Sequence, residues 1–421
     1  MRTLIFIFLL IPLGILCQVS DSLTLLQCYK FARDNYPLAK QIDLISNASE
    51  LRTTNLENNF LPQIYLNGQA SYQSDVTSIP IKLPNITIPE IYKDQYKISL
   101  DLNQVIYDGG NTRLLKKAES VSTNTDKQNV EIELNKLKEL VNQDFFNILL
   151  LQQNEKMLQL SLEDLKSRLA KVESGISNGV MIKSNADIFS AEILKIEQQL
   201  TDLEFTRNSC LKRLGDLLDK DISGQTFFKL PELNSFDLKF SNNRPEVKNF
   251  ALLREKTEVY KELTKTRNRP KISAIAQVGY GRPGFNMFYP DFDKFYFVAA
   301  KLSWNLWDWR QTGRERQVFD IQNKMVDTEH EVFDKSIKMA LEKEIADISK
   351  YEELLRQDDK LIEVRNRIVN TASSQLDNGI ITSTEYLTEY DNSLQTKLNL
   401  EIHKIQLLKA KINYLNITGN L

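Results

Sequence analysis

QVIYDGGNTR, Gln104 to Arg113, closes a stretch in which apolar and polar residues alternate and opens one in which apolar residues recur at helical spacing. NLWDWRQTGR, Asn305 to Arg314, stands at the same kind of junction, with Asp308 placed 200 residues after Asp108. The chain therefore makes a strand-to-helix switch twice, at matched positions, and the rest of the sequence can be laid out around those two points.

Other anchors pair up in the same order. DNYPLAK from Asp34 resembles NNRPEVK from Asn242, and LPQIYLNGQASY from Leu61 resembles RPKISAIAQVGY from Arg269, so that Pro37 with Pro245 and Pro62 with Pro270 are each 208 apart. SNGVMIKSNADI and DNGIITSTEYL put Gly179 and Gly379 200 apart. Self-similarity at a fixed period points to a duplicated architecture. The expected organisation is a signal peptide over 1–17, a first repeat over 18–220, a linker over 221–243 and a second repeat over 244–421. Gly, Pro and Asn interrupt the helical pattern in the linker.

Each repeat reads as helix, strand, loop, strand, very long helix, tight turn, helix. Ile64, Leu66, Gly68, Ala70 and Tyr72 fall on one strand face and Gln63, Asn67, Gln69, Ser71 and Gln73 on the other. Ile98, Leu100 and Leu102 oppose Lys97, Ser99, Asp101 and Asn103. In the second repeat Ile272, Ala274, Ala276 and Val278 oppose Lys271, Ser273 and Gln277, and Val298, Ala300, Leu302 and Trp304 oppose Lys301, Ser303 and Asn305. A soluble sheet with one wet face has this pattern too. Strands of about 9–11 residues, however, suit a tilted membrane crossing. Aromatic residues also gather in GFNMFYPDFDKFYF from Gly284, and Trp304, Trp307 and Trp309 collect at the other end, as in the girdles of outer-membrane barrels.

No proline interrupts Asn111 to Ser174 or Arg310 to Gln375, and at 1.5 Å per residue these helices would reach roughly 96 and 99 Å. Leu158, Leu162, Leu165, Leu169, Val172 and Ile176 form a heptad seam; Ile337, Leu341, Ile345, Ile348, Tyr351 and Leu355 form a looser one. Gly179 and Gly379 follow and let the chain reverse into a returning helix. Four strands cannot close a pore, and open edges in lipid leave backbone groups unpaired, so the chain must take strands from its own copies. Two copies supply eight strands and three supply 12, and a polar inner face with Lys97, Asp101 and Lys301 favours the wider, water-filled barrel.

Composition narrows the function classes. Lys plus Arg number 54 and Asp plus Glu 56, a net charge of −2, which leaves no basic footprint for nucleic acid. Two histidines and no HxxxH or CxxC pattern speak against a zinc centre, and no metal or cofactor is expected. No GxSxG, phosphate loop or HExxH occurs, and GYGRPG from Gly279 precedes aromatics rather than a helix, so no enzyme chemistry is expected. MRTLIFIFLLIPLGILCQ combines Arg2 with a 13-residue apolar core, as a secretory signal does, with cleavage before Gln18 and lipidation of Cys17 as the alternative. Cys28 and Cys210 then read as two thiols on helices rather than a disulfide. The NIT triplets at Asn85 and Asn416 read as accidental sequons.

Taken together, LPQIYLNGQASY, RPKISAIAQVGY, QVIYDGG, NRPEV and the two glycine turns resemble the TolC-like outer-membrane channel proteins of efflux and secretion systems, over essentially the whole mature chain. The resemblance implies a mixed α+β membrane protein. It would be a homotrimer whose four strands per chain build a 12-stranded barrel in outer-membrane lipid, continued by a helical tunnel in the periplasm. It implies partnership with a periplasmic adaptor (membrane-fusion) protein and an inner-membrane pump, and passive export without chemistry. Asp108, Gly109, Gly110 and Asp308, with Pro62 and Pro270 at the strand starts, would mark the barrel–tunnel junction; Trp309 and Arg310 stand where the family has glycines. The family's entrance gate would fall near the helix turns, with Glu385 matching a gate carboxylate, Glu389 substituting for a second acid in place of Thr388, and Asp187 the counterpart in the first repeat. As alternatives, Asp187 and Glu385 are helix N-terminal charges favoured by the macrodipole, and the chain is a periplasmic adaptor or a structural coiled-coil protein.

Overall fold

The computed structural model describes residues 22–77, 91–224, 226–233, 236–238 and 241–421. The signal segment, Cys17 and the first NIT triplet lie outside the described residues. In chain order the elements are β1 (Ser22–Leu23), α1 (Leu25–Asn35), α2 (Gln41–Glu57), β2 (Gln63–Tyr72), β3 (Asp94–Tyr107), α3 (Asn111–Ser177), α4 (Lys183–Leu218), β4 (Phe227–Phe228), α5 (Pro245–Thr264), β5 (Lys271–Arg282), β6 (Asp293–Ser303), α6 (Gln311–Asp377) and α7 (Ser383–Thr418). The helices α3 and α6 have 67 residues each and α4 and α7 have 36 each, and every bound in the second set lies 200 after its counterpart.

The chain divides into two compact units. One holds the sheet: the described residues among 40–133, and 244–336. Its four strands run in the order β2-β3-β5-β6, all antiparallel, so among the described residues β2 and β6 are free edges. Register puts Leu66, Leu100 and Val278 in one row across the sheet, and Ile64, Leu102, Ala276 and Val298 in another, all on one face. That face is uncovered: Leu66 is 72% and Val298 74% exposed. The opposite face carries Asn67, Lys97, Asp101 and Gln277, and Asp101 accepts from both Asn67 Nδ2 and Gln277 Nε2 at 2.6 Å. Two strands outrun the expected length, β3 with 14 residues and β5 with 12. Aromatics also interrupt the polar face. Phe295, reached by odd-numbered alternation, lies over Gly279, is 5% exposed, and meets Phe285 edge to face at 4.8 Å with Lys97 Nζ 4.8 Å from its ring. A glycine in a strand leaves the gap that such a ring fills.

Polar ties run from α2 and α5 to the first turns of the long helices. Arg52 meets Glu119 at 2.7 Å and Thr123 meets Ser49 at 2.7 Å, while Arg254 meets Asp327 at 2.8 Å and Lys261 meets Asp320 at 2.5 Å. Exposed pairs of this kind contribute little individually. They align helices rather than hold the unit together.

The other unit comprises the described residues among 22–39, 134–243 and 337–421. Its main core packs Cys28, Tyr29 and Ala32 of α1 with Val141, Phe145, Phe146 and Leu149 of α3, Leu211, Leu214 and Leu218 of α4, and Ile405 and Ile412 of α7. Phe228 plugs the same core 5.4 Å from Phe145, and its two-residue strand pairs with β1 in parallel, so the segment read as a linker also supplies core. Cys28 and Cys210 are both free thiols. Burial pushes the Cys28 thiol up to about 12, which leaves it a packing group. A second core is the heptad seam. Leu158, Leu165 and Val172 are buried against Phe189, Ile193 and Ile196 of α4 and Ala372 and Leu376 of α6, with Leu162, Leu169 and Ile176 alongside. The looser seam departs from its sequence reading at one step. Ile345 is 38% exposed and Glu344 is buried beside it at 6%, between Leu341 and Ile348.

Candidate functional site

Two pairs of places repeat in the chain, the strand-to-helix switches in the sheet unit and the helix turns in the other. At the first switch, a register shift between Val105 and Tyr107 bulges β3 at Ile106 and re-aims its end. Asp108 then caps α3: Oδ1 accepts from the Gly110 and Asn111 amides at 2.9 and 3.1 Å, and Oδ2 accepts from Thr112 at 2.6 Å. Part-burial alone would raise its carboxyl, but the Thr112 hydroxyl and these amides outweigh it and hold the group below the usual range. Gly109 and Gly110 have φ +74° and +82°. A Cβ on Gly109 would stand 2.9 Å from Arg269 Cβ, and Arg269 Nη1 donates to the Gly109 carbonyl at 3.0 Å. This switch is packed under the start of β5, where Pro270 precedes the strand as Pro62 precedes β2.

At the second switch Asp308 Oδ2 accepts from Thr312 N at 3.0 Å and from Asn268 Nδ2 at 2.8 Å, and Gln311 N donates to the Asp308 carbonyl at 2.9 Å. The Thr312 hydroxyl first, then Asn268 and the Thr312 amide, hold its carboxyl well below the usual range. Trp309 and Arg310 occupy the two left-handed positions, with φ +52° and +60°. For residues with a Cβ that conformation costs roughly 1–2 kcal/mol each. No crowding enforces glycine here, because both side chains are exposed, Trp309 at 78%. The bend is made with the same backbone as DGG, under strain, and Arg314 Nη1 steadies it by donating to the Trp309 carbonyl at 3.1 Å.

The helix turns share one C-terminal motif. Val180 N donates to Gly175 O at 2.9 Å and Gly179 N to Ile176 O at 3.0 Å; Ile380 N donates to Gln375 O at 2.8 Å and Gly379 N to Leu376 O at 2.9 Å. Both are Schellman closures, with the glycines at φ +75° and +70° in the left-handed position. The next helix starts differently after the two turns. Thr382 caps α7 in a capping box: its amide donates to Glu385 Oε2 at 2.7 Å, and Glu385 N donates to Thr382 Oγ1 at 3.2 Å. The Thr382 amide and then its hydroxyl pull the Glu385 carboxyl below its ordinary value. In α4 the equivalent residue is Ile182, which has no side chain to cap with.

The three candidate gate acids thus sit in different settings. Glu385 is exposed, with Oε2 held by Thr382 and Oε1 open, at the rim of a groove of about 490 Å³ between α6 and α7 lined by Arg367, Thr371, Gln375 and Thr388. Glu389, one turn on, is tied to Arg365 of α6 at 3.0 Å. Asp187 is exposed on α4, and among the described residues no hydrogen bond or ion pair joins it to either glutamate. Sequence reasoning missed the buried group behind them. Tyr386 is fully buried with the Arg168 guanidinium 4.5 Å above its ring, Arg168 Nη1 donates to Ser373 Oγ at 3.0 Å, and Tyr390 Oη meets Ser161 Oγ at 2.9 Å. These contacts clamp α7 onto α3 and α6. The TSTE capping signal was present in the sequence; the arginine–tyrosine stack, made between residues 218 apart, had no local signal. Among the described residues no group of His, Cys, Asp or Glu is placed to hold a metal ion, and no helix is long and apolar enough to cross a membrane.

No protein-family model matches the chain, and no curated protein matches it. Solved structures do. The chain superposes on the outer membrane protein VceC of Vibrio cholerae with a TM-score of 0.68 at 11% identity, covering 94% of this chain and 96% of that one. It superposes on the CmeC outer membrane channel of Campylobacter jejuni with a TM-score of 0.66 at 14% identity, covering 94% and 85%. For the MtrE outer membrane channel of Neisseria gonorrhoeae in its open state the values are 0.65, 12%, 94% and 88%. These are TolC-family channels, and the chain has their fold.

Proposed function

We propose that the chain is the outer-membrane exit duct of a tripartite efflux system, a passive conduit for small molecules, ions or polypeptides and not an enzyme. In this reading it is a homotrimer in outer-membrane lipid. Three four-stranded sheets close a 12-stranded barrel, and the long helices continue it as a periplasmic tunnel that meets a periplasmic adaptor and an inner-membrane pump; type I secretion would use the same architecture. The matching 200-residue offsets support an origin by internal duplication, with repeats over 18–220 and 244–421 joined by 221–243. One observation carries the proposal. The sheet has two free edges and an uncovered apolar face opposite a hydrogen-bonded polar one. Lipid tolerates such a sheet only once its edges are paired, and further copies of the chain supply the missing strands. Membrane fractionation and the mass of the detergent-extracted particle test this: outer-membrane recovery at three times the monomer mass is expected, and a monomer in plain buffer would return the chain to the adaptor or coiled-coil reading.

In this reading the constriction of the duct lies at the helix turns. Three copies of Glu385, each with Oε1 open, would form a ring that favours cations and binds divalent ions, with Glu389 and Asp187 behind it. In planar bilayers Glu385→Gln should lose both cation selectivity and divalent block; retention of both removes Glu385 from the gate.

A further inference from the structure

We propose that Trp304, Trp307 and Trp309, together with Arg310, form a seat for the phosphate-bearing headgroup of a membrane lipid at the foot of the sheet. The proposal rests on the outer-membrane reading above. The row of lipid-facing residues in β6, which includes Val298 and Leu302, ends at Leu302, β6 ends at Ser303, and the tryptophans follow within six residues of it. They are exposed at 56%, 70% and 78%. The Trp307 and Trp309 rings meet edge to face at 5.9 Å and form a corner. Trp304 donates its indole N–H to the Asn268 carbonyl at 3.0 Å, whereas those of Trp307 and Trp309 have no partner among the described residues. Indoles with an apolar body and a free N–H settle at the boundary between acyl chains and headgroups.

Arg310 supplies the charge that selects phosphate. It is exposed, and among the described residues no ion pair engages it. Its two acidic neighbours are committed elsewhere: Asp308 to Thr312 and Asn268, and Glu315 to Arg267 at 2.7 Å. The N-terminal amide that an anion would otherwise take is filled by Asp308, so the guanidinium and the indole N–H groups are the donors left. A second copy docked on the β6 edge is the rival occupant. The start of β2, which that copy would bring alongside, reads NNFLPQ from Asn58 and offers Arg310 no carboxylate, and the adjacent Glu57 is held by Lys116 at 2.6 Å. A phosphate headgroup supplies the missing anion. The contrast with the first switch adds a reason for the residue choice. DGG makes the same bend without strain, so Trp309 and Arg310 are kept in a costly backbone for what their side chains reach.

The chain contains three tryptophans, all of them in this seat, so its indole emission reports on nothing else. The full chain, purified in brominated dodecyl maltoside, should be quenched; titration with unbrominated phosphatidylglycerol should restore emission as lipid displaces detergent. The wild type should prefer the phospholipid over the phosphate-free detergent about fivefold more strongly than Arg310→Gln does, the ratio of one arginine near a charged headgroup. Trp309→Gly/Arg310→Gly restores the unstrained bend and should melt higher while losing that preference, which separates lipid binding from a folding role. Equal preference in wild type and Arg310→Gln overturns the proposal, as does absence of quenching, which would mean that protein covers the rings. A chain that takes up no detergent at all defeats the outer-membrane reading instead.

Discussion

At Asp108 and at Asp308 the chain turns from strand to helix on the same carboxylate cap and the same pair of left-handed residues, yet one turn is built from glycines and the other from tryptophan and arginine. The difference follows from position in the sheet. The first switch leaves the inner strand β3 and is pressed against Arg269, where a Cβ has no room; the second leaves β6, at the end of the strand order, and is exposed. Glycine is demanded at the first by backbone shape and by space together, and at the second by shape alone, so only the second site was free to gain side chains. The helix turns repeat the lesson in a milder form. Their Schellman bonds match, with one added bond from Met181 N to Gly175 O at the first, while the restarts diverge at Thr382 and Ile182.

The strongest way to break the comparison is Gly109→Ala, which meets both constraints and should cost roughly 2–5 kcal/mol in denaturant or thermal unfolding of the purified oligomer. A loss under about 1 kcal/mol would mean that the packing difference between the switches is unimportant. Trp309→Gly should act in the opposite sense, with a gain of about 1 kcal/mol from relieved strain. At the helix turns, Thr382→Ala should cost about 1 kcal/mol as the cap is lost, and Ile182→Thr, which builds a cap where there is none, should raise stability by less. Equal and opposite changes of the same size would show the two restarts to be equivalent. The smallest effect is in acid. The folded-state carboxyl of Glu385 lies below its ordinary value of 4.5, so its contribution is present above that value and is lost as pH falls through the folded one. Amide exchange in the first turn of α7 should quicken there, while the first turn of α4, which has no acidic residue, should not change.

Much of this was legible beforehand. Period-two alternation assigned the two sheet faces correctly from Ile64 to Leu302, and the leucine seam from Leu158 to Ile176 was readable because a heptad is a local pattern. The two Gly-turn positions were readable because a glycine that ends a helical run has few other uses. What escaped has a common cause. Trp309 and Arg310 carry no turn signature, since their conformation is imposed by the Asp308 cap and by β6 rather than by their own preferences. Phe295 sits on the polar face because Gly279, on the neighbouring strand, leaves space for it. Arg168 finds Tyr386 only after two helices have folded back. Glu344 takes the seam place expected of Ile345, a shift of one residue that periodicity cannot resolve in a loose repeat. The gate acids were named from resemblance; of their surroundings, only the TSTE box could have been read from the residues themselves.

The tips at Gly179 and Gly379 have one more consequence. A Cβ placed on either would have nothing within 4 Å, so what forbids an ordinary side chain there is handedness and not size. For the mirror-image amino acid the prohibition disappears. A D-alanine introduced by chemical ligation at either tip would sit at ease in the backbone that L-alanine resists, and would stiffen the unfolded chain as well. These two hairpin ends are thus places where chirality alone can be edited, with every contact left untouched.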